Sequence, residues 1–125
     1  MKLLLLAASL LGASGVVFGA LGAHGVEGTT EALANWHTGV TYQLLHAVAV
    51  LGVVATLRGR LACLAAWGFV VGTVLFSGAL YLPPLVGETA LTRVAPWGGT
   101  LLIVAWVLVG VSALVGGRRV GAQSD

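Results

Sequence analysis

The stretch "TGVTYQLLHAVAVLGVVATL", Thr38 to Leu57, decides how the rest of the chain is read. It contains no formally charged residue. As a helix rising about 1.5 Å per residue, it is long enough to cross a hydrocarbon core about 30 Å thick. Three more stretches share the property: 3–23, 61–82 and 98–115. Of the 125 residues, 58% are apolar and 8% are charged, and the mean hydropathy is +1.03. A soluble domain carries about a quarter charged residues. The chain therefore reads as an all-α integral membrane protein, a single membrane domain whose main partner is the lipid bilayer, with a polar tail at 116–125. The connections at 24–37, 58–60 and 83–97 are too short to hold a second domain. Short connections favour antiparallel neighbours, so the expected architecture is a four-helix up-and-down bundle.

An even number of spans puts both termini on one side. Lys2, Arg58, Arg60, Arg118 and Arg119 lie there, while Arg93 lies opposite with Glu27, Glu31 and Glu88. The excess of Lys and Arg marks the cytoplasmic side, so both termini are expected to be cytoplasmic. The absence of an Arg- and Ser-rich leader favours a bacterial inner (plasma) membrane over a mitochondrial one. "MKLLLLAASLLGASG" also has the make-up of a signal peptide. Its apolar run continues to Ala23, however, and retention as a span is expected.

Local signals agree with helices. Thr29 and Thr30 offer an N-cap before "EALANWH", with Glu31 in the first turn where the helix dipole favours it. This predicts a short surface helix leading into the second span. Pro83 and Pro84 stop the third span. The loop "LPPLVGETALTRVAPW" is expected to lie against the membrane through Leu85, Leu91 and Val94. Trp36, Tyr81 and Trp97 fall near the outer ends of spans, as an aromatic belt requires.

In the first span, Ala8, Gly12, Gly15, Gly19 and Gly22 share one helical face, and Gly68 and Gly72 repeat the device in the third. Such stripes let helices approach closely. Packing within the chain is the main expectation, and a homodimer face is the alternative.

The polar residues of the second span raise the functional question. Asn35, Thr38 or Gly39, Tyr42, His46 and Ala49 share a face bordered by Gln43. His46 lies about 12 Å below Thr38, near mid-membrane. Lipid offers a polar side chain no partner there, so His46 is expected to point into the bundle. Its candidate partners are His24, Ser77, Tyr81 and Thr100, which complete a buried polar cluster with Tyr42, Gln43 and His46. Such a cluster can be a hydrogen-bonded clamp between helices, a path for an ion, proton or small molecule, or a metal site using His24 and His46. The clamp is the leading reading, because the histidines lack a ligand spacing and the nearby carboxylates sit in loops. No resident cofactor or metal is expected.

Enzyme motifs are absent: there is no Walker A, HExxH, GxSxG or strand-to-helix GxGxxG pattern. An enzyme is therefore not expected. The net charge of +2 is too small to point to nucleic acid. Cys63 is the one cysteine, without a disulfide or zinc pattern, and reads as a small buried hydrophobe.

"GALGAHGV" at 19–26, "WHTGVTYQLLHA" at 36–47, "FSGALY" at 76–81 and "APWGG" at 95–99 together resemble the family called domain of unknown function 423, related to the eukaryotic transmembrane protein 256. The resemblance covers all four spans in order. It falls on Gly22, Ala23, His24 and Gly25; on Trp36, Thr38, Tyr42, Gln43, His46 and Ala47; on Phe76, Ser77, Gly78, Leu80 and Tyr81; and on Pro96, Gly98 and Gly99. Ala79 and Trp97 depart from the pattern, and His37 falls where the pattern is open. The resemblance implies a small four-helix inner-membrane protein and no known activity. The sequence thus leads to a structural or accessory membrane protein that binds a partner membrane protein or itself, with transport or metal binding as the alternatives.

Overall fold

A computed structural model of the chain describes residues 1–83 and 93–116. Four helices dominate it: α1 (Lys2–His24), α2 (Thr30–Thr56), α3 (Arg60–Tyr81) and α4 (Ala95–Val115). Each is long and apolar enough to cross a membrane. The described residues contain no strand. Pro84, Leu85, Glu88, Leu91, Arg118, Arg119 and the tail from 117 lie outside the described residues, as does most of the loop expected against the membrane.

Each helix end has a local cause. The Thr29 hydroxyl accepts from the Ala32 amide at 3.1 Å, which caps α2, and Glu31 stands in its first turn. No break separates "EALANWH" from the span. The short surface helix expected there is the start of one continuous 27-residue helix. At about 1.5 Å per residue α2 is about 40 Å long, so it must tilt or project beyond the hydrocarbon. Gly59 turns α2 into α3 at φ 99°, in the left-handed region that glycine enters without a steric penalty. α3 ends at Tyr81, two residues before Pro83. Pro96 sits in the first turn of α4, where its missing N–H costs nothing.

The helices pack in chain order: α1 on α2, α2 on α3, and α3 on α4, with a lighter contact between α1 and α3. α2 and α3 form the middle of the bundle, and α1 and α4 flank it. Leu4 of α1 meets Val53 of α2 and Ala62 of α3, and Gly116 comes against the Arg58 carbonyl. Both ends of the four-helix unit therefore lie at the α2–α3 turn.

Glycines set the spacing. A Cβ on Gly98 would lie 2.5 Å from the Phe76 amide nitrogen and 2.9 Å from the Gly72 carbonyl. Only a bare backbone fits there, so α3 and α4 meet almost in backbone contact. Gly68 faces Ala105 in the same interface. In α1 the stripe works differently: Gly15, Gly19 and Gly22 leave room for Leu44, Val40 and Trp36 of α2. A Cβ on Gly12 would meet nothing within 4 Å, so Gly12 takes no part in this contact.

Candidate functional site: a paired polar cluster between helices

The buried residues of α2 are Trp36, Gly39, Val40, Gln43, His46, Ala47, Val50, Val53 and Val54. They recur at steps of three and four, so they form one stripe. This stripe is rotated from the one read in the sequence. Gln43, expected at the border, is central and 3% exposed, whereas Tyr42, expected on the stripe, is 40% exposed. α2 has to serve α1 on one flank and α3 on the other, and the residue between those flanks is Gln43.

Gln43 uses its whole amide. Nε2 donates to the Leu11 carbonyl at 2.8 Å and to Ser14 Oγ at 2.8 Å, both on α1. Oε1 accepts from the Tyr81 hydroxyl of α3 at 2.7 Å. Tyr81 stands at the last residue of α3, but helical side chains lean toward the N-terminus, so its phenol reaches back along the bundle to Gln43. Gly39 clears the way, since a Cβ there would lie 2.8 Å from the Tyr81 ring. Ser77 Oγ donates to the Gly39 carbonyl at 2.7 Å, a second tie between α2 and α3. Trp36 Nε1 donates to the Phe18 carbonyl at 2.8 Å, a second tie between α1 and α2. Phe18, Trp36 and Tyr81 close the site with ring centroids 4.8 to 6.0 Å apart.

His46 lies on the α4 side, 2% exposed. Its Nδ1 is 2.7 Å from the Tyr42 carbonyl, and Trp106 Nε1 donates to its Nε2 at 3.3 Å. A carbonyl only accepts and an indole N–H only donates. The partners therefore assign the neutral ring with its proton on Nδ1. Phe69 packs against both, at 5.4 Å from the His46 ring and 4.8 Å from Trp106. Both ring nitrogens are thus engaged within the bundle.

The structure brings Gln43, His46, Ser77 and Tyr81 into the polar region, with Tyr42 at its edge against Phe76. It leaves two expected members out. His24 is exposed at the end of α1, and Thr100 is exposed and bonds back to the Pro96 carbonyl at 2.8 Å. Trp36 and Tyr81 are buried members of the site rather than belt residues, whereas Trp97 is 74% exposed and suits a belt. Cys63, expected to be buried, is exposed. Sequence reasoning passed over Ser14, Phe18, Phe69 and Trp106. A tryptophan in mid-span, away from any interface, was the available signal for Trp106. One buried hydroxyl in the same layer, Thr73 Oγ1, has no partner among the described residues. Those residues also hold no group of three His, Cys, Asp or Glu able to bind a metal.

Four apolar spans tied by a mid-bundle polar cluster define a small polytopic helical membrane protein. Residues 18–99 match the family described as "Protein of unknown function (DUF423)", and the chain belongs to that family. It is 36% identical over 121 residues to the UPF0382 membrane protein YwdK of Bacillus subtilis, covering 91% of this chain and 98% of that protein. It is 35% identical over 118 residues to the UPF0382 inner membrane protein YgdD of Escherichia coli K12, covering 90% of each. A Haemophilus influenzae UPF0382 membrane protein is 38% identical over 96 residues, with 74% of this chain and 77% of that protein covered. No solved structure matches the chain.

Proposed function

We propose that the chain is a non-enzymatic accessory protein of the bacterial inner membrane, which presents a rigid helical surface to a partner membrane protein or to a second copy of itself. The observation that carries this reading is the internal pairing of the site. Every polar group of Gln43 and both ring nitrogens of His46 are spent on neighbouring helices. A transport path needs polar groups that can exchange partners with the cargo, and these are already taken. A clamp needs what is found: donors matched to acceptors across helix pairs. Support for a partner comes from Tyr42, the thirteenth residue of the 27-residue α2. Its phenol is partly exposed and has no hydrogen bond among the described residues. Lipid tails offer it none, whereas a neighbouring helix can. The end carrying Lys2, Arg58 and Arg60 faces the cytoplasm in this reading, supported by the charge asymmetry.

Native mass spectrometry of the protein extracted from its own membrane in mild detergent tests the proposal. A stoichiometric partner or a homo-oligomer is expected, reduced by Tyr42→Phe with thermal stability kept. Bare monomer under all mild conditions overturns it.

A further inference from the structure

At the α2–α3 turn the bundle is not filled. A cavity of about 240 Å³ lies between α1, α2 and α3, walled by Leu4, Val53, Val54, Ala62 and Ala66, with Arg58 and Cys63 at its rim. Ala62 and Ala66, which face it from α3, are too small to fill it. The rim residues Arg58 and Cys63 are both exposed, so the cavity opens at the end of the bundle and not into its middle. With Lys2, Arg58 and Arg60 at this end of the apolar spans, a membrane's headgroup boundary is expected at this level.

Among the described residues, the charges at this mouth are of one sign. Arg58 lines it, and Lys2 and Arg60 stand at the same end of their helices. None of the three has an ion pair among the described residues. The described carboxylates, Glu27 and Glu31, lie at the opposite end, about a helix length away. An apolar chamber whose charged groups are, among the described residues, all cationic matches an amphiphile with an apolar chain and a negative head. A zwitterionic lipid would bring its own cation against these arginines.

We propose that this cavity holds one acyl chain of an anionic glycerophospholipid, with its phosphate at Arg58. The bilayer supplies the ligand at high local concentration, and the cationic groups draw anionic headgroups toward the mouth. The inference stands apart from the accessory reading, since it concerns the other end of the molecule and none of the clamp residues.

Cys63, the one cysteine of the sequence, is a reporter already at the rim. The full chain is purified in a non-ionic detergent, and the rate of Cys63 alkylation by a water-soluble maleimide is followed while phospholipid is added. With phosphatidylglycerol at about ten times its dissociation constant the rate should fall about tenfold, because alkylation follows the empty fraction. Phosphatidylcholine at the same concentration should leave it nearly unchanged. Arg58→Gln, an exposed change with no ion-pair partner among the described residues, should abolish the difference between the two lipids while the thermal unfolding of the protein stays the same. Equal protection by both lipids, no protection by either, or full protection by soluble glycerol phosphate would each overturn the proposal.

Discussion

The two halves of the bundle solve the same problem with different chemistry. Toward the α2–α3 turn, helices meet through Leu4, Ala8, Val50, Val53, Ala62 and Ala66, all aliphatic, and the packing leaves a cavity. Toward the opposite end they meet through Trp36, Val40, Phe18 and Tyr81, with Gln43 and Ser77 hydrogen-bonded inside. Lipid tails are as apolar as leucine, so aliphatic contact gives little preference for one neighbour over another. A directional hydrogen bond does give one, because the alternative in lipid is an unpaired group. The paired half therefore defines which helix faces lie together, and the aliphatic half follows and tolerates imperfect filling.

Several substitutions would break or sharpen this contrast. The largest effect is expected where α3 and α4 share a backbone contact. Gly98→Val puts side-chain atoms into the Phe76 amide and the Gly72 carbonyl, which cannot move aside, at a cost of about 3 kcal/mol or more. Folded yield in detergent should collapse, and normal yield with wild-type melting would contradict the close approach. Gln43→Leu comes next. It removes three hydrogen bonds and strands the Tyr81 hydroxyl, for a loss of about 2 kcal/mol in a denaturant titration. Leu4→Ala, a larger change in volume but in the half with a cavity, should cost less than Gln43→Leu. The reverse order would sink the claim that the paired half dominates.

Thr73→Val should raise stability by about 1 kcal/mol in the same titration, since it removes a buried hydroxyl that has no partner among the described residues. A loss of that size would mean that the hydroxyl is bonded in the membrane. The smallest effect belongs to Trp106→Phe. Its bond to His46 is long at 3.3 Å, and interhelical bonds of this kind contribute about 0.6 kcal/mol. The ring contact with Phe69 is kept, so the melting temperature should move little.

Much of the fold was legible from one dimension of the chain. Four uncharged runs of sufficient length, the capping Thr29 and the proline after α3 follow from local rules that act within a turn or two. The candidate site was legible only in part. That a polar residue in mid-span must face the interior follows from lipid chemistry, and His46 and Ser77 are buried as expected. Which of Tyr42 and Gln43 takes the central place did not follow. They are adjacent on α2, about 100° apart around the axis, and only the positions of α1 and α3 choose between them. His24 and Thr100 failed to join for the same reason: sequence gives the height of a residue along its helix but not the rotation of that helix against its neighbours.

The amino-acid sequence by itself determined that this protein is helical, that it spans a membrane and where its apolar runs are broken, because hydropathy and backbone capping are properties of short segments. The tertiary structure alone decided that Gln43 joins α1 to α3, that Trp106 meets His46 across sixty residues, and that the glycines of α1 receive side chains while Gly98 of α4 receives a backbone. Those pairings depend on the rotation and spacing of whole helices. In lipid these are set by the match of donors to acceptors and of small residues to large ones, summed over several helices at once.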